Sequence, residues 1–190
     1  LSFKKSGLIL ALVLCGCITT PTSGIGGFSY EQTVSKWTQG DSAYDNLHAS
    51  FRIKVTLLSR ELVEKQLDLD KNLYKWTPEQ FESEKQKALY DLQSQTTVLV
   101  SLYTQKDEDN TLDKSHTPWN MFLEINGKRY TANQVKRIYE NRVVLINKYP
   151  YLDPWSRNYF VKFPLPTDDP SAGASSFNLT GPLGAVELKF

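Results

Sequence analysis

The sequence predicts a mainly β protein with one helical insertion, and three observations carry that expectation. Several segments alternate apolar and polar residues with a period of two. Turn signals, among them Asn126-Gly127 and Gly181-Pro182, separate some of them. The stretch from Ser59 to Gln93 breaks that rhythm: it is rich in Glu, Lys, Gln and Leu and carries helix-start residues at Ser59 and Thr77.

The elements follow in order. A short helix is expected near Tyr30 to Trp37. "SFRIKVTLL" (Ser50 to Leu58) puts Phe51, Ile53, Val55 and Leu57 on one face and Arg52, Lys54 and Thr56 on the other, which is a strand buried on one side. In the helical stretch, Ser59 caps a first helix through Leu62, Val63 and Leu67. Thr77-Pro78-Glu79-Gln80 starts a second, with a hydroxyl cap, proline at the first helical position and Gln three residues after the cap. Phe81, Ala88, Leu89 and Leu92 then share a face. "TTVLVSLYT" (Thr96 to Thr104) is apolar on both sides and reads as a central strand. "MFLEINGKRYT" (Met121 to Thr131) is a hairpin, because a tight type I′ turn needs positive φ at both central residues and Asn-Gly supplies it. "NYFVKF", "SFNLT" and "GAVELKF" complete the strands, the last alternating Val186, Leu188 and Phe190 against Glu187 and Lys189.

Short antiparallel strands at fairly regular spacing favour an immunoglobulin-like β-sandwich with a helical hairpin (59–93) inserted after the first long strand. The Cys-Trp-Cys pattern of antibody domains is missing, so this is an expectation of architecture alone. Length and composition agree with one well-packed domain: 190 residues with 4 Trp, 10 Tyr and 9 Phe. Charge is close to balanced, with 22 Lys and Arg against 21 Asp and Glu, which gives no electrostatic reason to expect nucleic acid as a partner.

The two cysteines of the chain stand together at the end of "LILALVLCGC". Lys4 and Lys5 form a short positive region, Gly7 to Leu14 is uninterruptedly small or apolar, and small or turn-prone residues follow, which is the layout of a secretory signal peptide. The apolar run is far short of the roughly 20 residues a membrane-spanning helix needs. Leu14-Cys15-Gly16-Cys17 resembles the lipobox of bacterial lipoproteins. The resemblance implies a thioether-linked diacylglycerol on Cys17, cleavage just before it, and anchoring of the protein in the cell envelope. Ile18, where an Asp would retain a Gram-negative lipoprotein in the inner membrane, implies the outer membrane in such a host. The alternative is an ordinary cleaved signal with Cys17 left as a free thiol. On the lipoprotein reading, residues 1–16 are the signal, 17–27 the lipidated cysteine and tether, and 28–190 a single domain. One myristoyl chain binds membranes only marginally, and each further buried methylene adds about 0.8 kcal/mol, so a diacyl anchor needs no basic patch. The tether "ITTPTSGIGG" has no Lys or Arg.

Side chains that carry chemistry are scattered. Neither His48 nor His116 has a second ligand at helical or hairpin spacing, so no metal site is expected. The acidic segment "QKDEDNTLDKSHTPW" has oxygen-bearing residues at alternate positions 107, 109, 111 and 113. It lacks the glycine and bidentate Glu of an EF-hand and reads as a solvated, mobile inter-strand loop. No Gly-x-Ser-x-Gly or phosphate-binding loop occurs, and no cofactor is expected. The most unusual composition is "YPYLDPWSRNYF", where Tyr149, Tyr151, Trp155 and Arg157 suit either a partner-binding edge or the packing of aromatics at one end of the domain. The leading expectation is therefore a non-enzymatic envelope lipoprotein that acts as a binding or structural module, with an envelope protein as candidate partner. A small envelope hydrolase with dispersed catalytic residues and a carrier of a hydrophobic ligand are the alternatives.

Overall fold

The computed structural model describes residues 27–45, 48–140, 142–167 and 175–190. The apolar run, Cys15, Cys17 and the segment up to position 26 lie outside the described residues. The chain opens with α1 (Gly27–Lys36), β1 (Thr38–Asp45) and β2 (His48–Leu57). The helical hairpin follows as α2 (Arg60–Tyr74) and α3 (Pro78–Ser94), then β3 (Thr96–Thr104) and a single 3-10 turn at Asp107–Asp109. Next come β4 (Asn120–Ile125), β5 (Lys128–Thr131), β6 (Gln134–Arg137) and α4 (Arg142–Lys148). β7 (Arg157–Phe163), β8 (Ser175–Gly181) and β9 (Gly184–Lys189) close the chain.

Local chemistry accounts for the boundaries. The Ser59 hydroxyl accepts from the Leu62 amide and starts α2, which stops where Lys75 turns left-handed (φ 53°). Thr77 and Gln80 form a reciprocal capping box around Pro78 and start α3. Asn126 (φ 51°) and Gly127 (φ 75°) both adopt positive φ, so β4 and β5 meet in the tight turn that Asn-Gly favours.

Two antiparallel sheets result. One has five strands in the order β1-β2-β3-β7-β6, the other four in the order β5-β4-β8-β9. The inward side chains of both sheets form a single hydrophobic cluster, in which Phe51, Ile53, Val100, Tyr159, Phe163 and Phe177 are essentially without solvent contact. Phe51 meets Trp119 edge-on at 5.2 Å, and Phe163 meets Phe177 in the same way at 6.3 Å. A second cluster lies on the other side of the five-stranded sheet. Tyr30 and Val34 of α1, Leu62 and Leu69 of α2, and Leu145 beside Tyr149 pack there around Leu99. β3 is thus buried on both faces, as its composition predicts.

Three elements depart from the sequence expectation. β1, "TQGDSAYD", has no apolar alternation and is an edge strand defined by its register with β2, Thr38 opposite Thr56 through Asp45 opposite His48. The helical hairpin therefore follows the second strand of the chain and not the first, since the eight-residue β1 precedes β2. β6 and α4 are too short, at four and seven residues, for a periodic signal to declare them. Among the described residues, no helix is long and apolar enough to cross a membrane.

Candidate functional site

The five-stranded sheet has an outward face that the helices cover only at one end. Directly opposed residues of an antiparallel pair point to the same side, so the register sorts this face into rows. Thr38, Thr56, Leu99 and Phe160 make one row. Gly40, Lys54, Ser101 and Asn158 make the next, and Ser42, Arg52 and Tyr103 the one beyond. Thr56 and Leu99 are fully buried, being roofed by the helical cluster, whereas Arg52 and Lys54 stand exposed.

A cavity of about 490 Å³ opens over these outer rows, bounded by Ser42, Arg52, Lys54 and Ser101 on the sheet and by Asp153 and Ser156 opposite. A second cavity of about 330 Å³, between α1, β1 and Pro150-Tyr151, shares Gly40 and Lys54 with it. Side by side they make a polar trough on this face, with Lys54 bordering both cavities. Gly40 keeps the floor low: a Cβ there would stand 3.1 Å from both the Lys54 Cγ and the Ile53 carbonyl oxygen. The Arg52 guanidinium lies 4.6 Å from the centre of the Tyr103 ring, and Lys54 Nζ lies 5.4 Å from that of Tyr151. Neither cation is paired with a carboxylate among the described residues. Elsewhere Lys36 pairs with Glu61 at 2.6 Å and Arg129 with Glu124 at 3.1 Å, while Lys71, Lys128 and Arg137 likewise lie over aromatic rings with no carboxylate partner among the described residues. Ser101 is only 5% exposed, and its hydroxyl has no hydrogen-bond partner among the described residues. Beside it, Asn158 Oδ1 is buried and without a partner among the described residues.

The four residues singled out in "YPYLDPWSRNYF" go to different places. Tyr149 is buried, its hydroxyl accepting from Gln66 Nε2 at 2.6 Å, and burial pushes its pKa well above the ordinary value. Tyr151 is mostly buried, its hydroxyl bonded to that of Thr56, and burial raises it too. Close by, the Tyr30 hydroxyl donates to the Lys148 carbonyl at 2.9 Å, and burial pushes Tyr30 up to about 12. Trp155 is 74% exposed, on a loop in which Asp153 accepts from the amides of Trp155 and Ser156 and from the Ser156 hydroxyl. Arg157 donates to the carbonyls of Asp107 and Asn110 at 2.8 and 2.6 Å and pairs with the Asp107 carboxylate at 2.9 Å.

Those bonds change the picture of the acidic loop. Instead of lying free in solvent it is pinned through Asn110, which is buried, donates to the Leu102 carbonyl at 2.6 Å and accepts from the Tyr159 hydroxyl at 2.9 Å. Burial of Tyr159, reinforced by the Asp113 charge, pushes its pKa up to about 12. No group of three or more His, Cys, Asp or Glu among the described residues could hold a metal ion. His116 is exposed on that loop, and His48 opens β2 opposite Asp45.

Sequence reasoning missed the trough. Arg52 and Lys54 read as the solvated side of an amphipathic strand, and Asp153 as part of a proline-rich corner. The sequence carried no signal for it, because β2 has a neighbour on both sides only through β1, whose own side chains do not declare a strand.

The fold and site together define a two-sheet, mainly β domain with a polar trough across the outer face of its larger sheet. No family model, curated protein or solved structure matches this chain.

Proposed function

We propose that this protein is a lipid-anchored bacterial envelope protein whose folded domain is a non-enzymatic binding module. The anchor half of the reading is carried by Leu14-Cys15-Gly16-Cys17 at the end of its apolar run. The first described helix begins at Gly27, ten residues beyond Cys17. Ten extended residues reach at most about 35 Å, which would hold the domain near a bilayer surface. With Ile18 after the cysteine, the outer membrane of a Gram-negative host is the location proposed. The binding half is supported by the trough, where two cations and the Ser101 hydroxyl lack partners among the described residues.

We also read the architecture as an immunoglobulin-like sandwich. The two sheets share one core. With β1 set aside as an extra edge strand, the orders β2-β3-β7-β6 and β5-β4-β8-β9 correspond to strands A-B-E-D and C′-C-F-G, and every pair is antiparallel. On this reading the helical hairpin is an insertion between strands A and B.

Replacing the cysteine tests the anchor. Cys17→Ala should move the protein from the detergent phase to the aqueous phase, or leave it unprocessed, and acyl mass should disappear from its N-terminus. Unchanged membrane partitioning, or a wild-type N-terminus without acyl mass at Cys17, overturns the anchor.

A further inference from the structure

We propose that the trough binds an acidic saccharide, a chain of sugar units that carries carboxylates; this rests on reading the domain as a binding module and names its ligand class. Charge gives the first reason. Arg52 and Lys54 alternate on β2, so their stems rise from one face about 7 Å apart. A carboxylate seated between them meets both cations, and neither has a competing carboxylate partner among the described residues. Lining chemistry gives the second. The trough sets the donors Arg52, Lys54 and Ser101 opposite Asp153. A hydroxyl-rich ligand can accept from the former and donate to the latter at the same time. A polyphosphate chain has no sugar hydroxyl to donate to Asp153.

Exposed aromatic faces give the third reason. Tyr44, 67% exposed, borders the larger cavity, and Trp155 rides on the loop that supplies Asp153 and Ser156 to it. Flat exposed rings pack well against the C–H faces of sugar rings, whereas an acidic peptide would draw mainly on the cations. Shape gives the fourth. The two cavities lie side by side, both open to solvent and both bordered by Gly40 and Lys54, which suits an extended ligand better than one enclosed molecule.

Titration calorimetry on the full chain in mild detergent tests this, with tetragalacturonate and tetraglucuronate as acidic probes, maltotetraose as the neutral one and tetraglutamate as the acidic peptide. At least one acidic saccharide should bind ten times or more tightly than maltotetraose and than tetraglutamate. The double variant Arg52→Gln/Lys54→Gln, which keeps the aliphatic stems, should weaken it at least tenfold with an unchanged melting temperature. Tyr44→Ala, which removes the exposed ring bordering the larger cavity, should weaken it several-fold. Equal binding of maltotetraose overturns the carboxylate requirement. Tetraglutamate binding as tightly, with the same Arg52 and Lys54 dependence, leaves the trough a binding site and overturns the saccharide. If no probe binds, or the double variant binds as wild type does, the trough falls as a site and the binding-module reading loses its support, while the anchor stands or falls by Cys17 alone.

Discussion

On the inward side of β2, Phe51, Ile53 and Val55 sit in one continuous apolar core that both sheets build. On the outward side of the same strand, Thr56, Lys54 and Arg52 pass from a roofed polar patch to an open trough within five residues. Alternation makes the two faces different, but it does not make the outer one uniform. Where α1, α2 and α4 cover the sheet, most polar groups find internal partners: Tyr149 with Gln66, Tyr151 with Thr56, and Lys148 with Asp70 Oδ2 at 3.0 Å. Where the helices stop, the cations have only aromatic faces beneath them. Burial without partners is costly, so the covered part had to be matched, and solvent lets the open part keep unmatched charge. The outer face is therefore where ligand chemistry can reside.

Alkali should break both faces at once. Tyr30 and Tyr159 have folded pKa values near 12, and those of Tyr149 and Tyr151 are raised as well, against an ordinary value of 10.0. The folded state holds these protons more tightly, so the stability they contribute is fully present below pH 10 and is lost as pH rises through about 12. Melting temperature followed by circular dichroism should stay level to about pH 10 and then fall steeply, with late tyrosinate absorbance appearing together with unfolding. Early titration of all tyrosines in a folded protein would contradict the burial of this group.

Truncating the core comes next in size. Phe177→Ala removes a fully buried ring that packs on Phe163, and should cost about 3–5 kcal/mol in urea unfolding. Arg157→Ala should cost about 1–3 kcal/mol, because it strips donors from the Asp107 and Asn110 carbonyls and frees the loop. Its effect should appear as faster amide exchange at 107–113. Smallest of all, Arg52→Ala and Lys54→Ala should each change stability by less than about 0.5 kcal/mol, since both side chains are exposed. A large loss from either would mean that the trough cations hold the fold together, and the contrast with Arg157 would disappear.

Much of the fold was legible because its signals are local. The alternation in "SFRIKVTLL" already separated Phe51, Ile53 and Val55 from Arg52 and Lys54, and the structure keeps that division. The capping box at Thr77, the Ser59 cap and the Asn126-Gly127 turn act within four residues and were readable for that reason. β1 was not readable, because its strand character comes from pairing with β2 rather than from its own side chains. Of the aromatic corner, composition could not say that Tyr149 would be buried while Trp155, six positions on, would be exposed.

By itself, then, the sequence determined which side chains share a face, where helices begin, and where a tight turn falls, since each depends on neighbours a few positions apart. Tertiary structure alone decided that β1 would flank β2, that three helices would roof one end of the sheet, and that Asp153 would come to face Lys54 and Arg52. The first depends on pairing between consecutive strands and the other two on segments up to about a hundred positions apart meeting to exclude water, and no pattern within one segment encodes which exposed surface is left over.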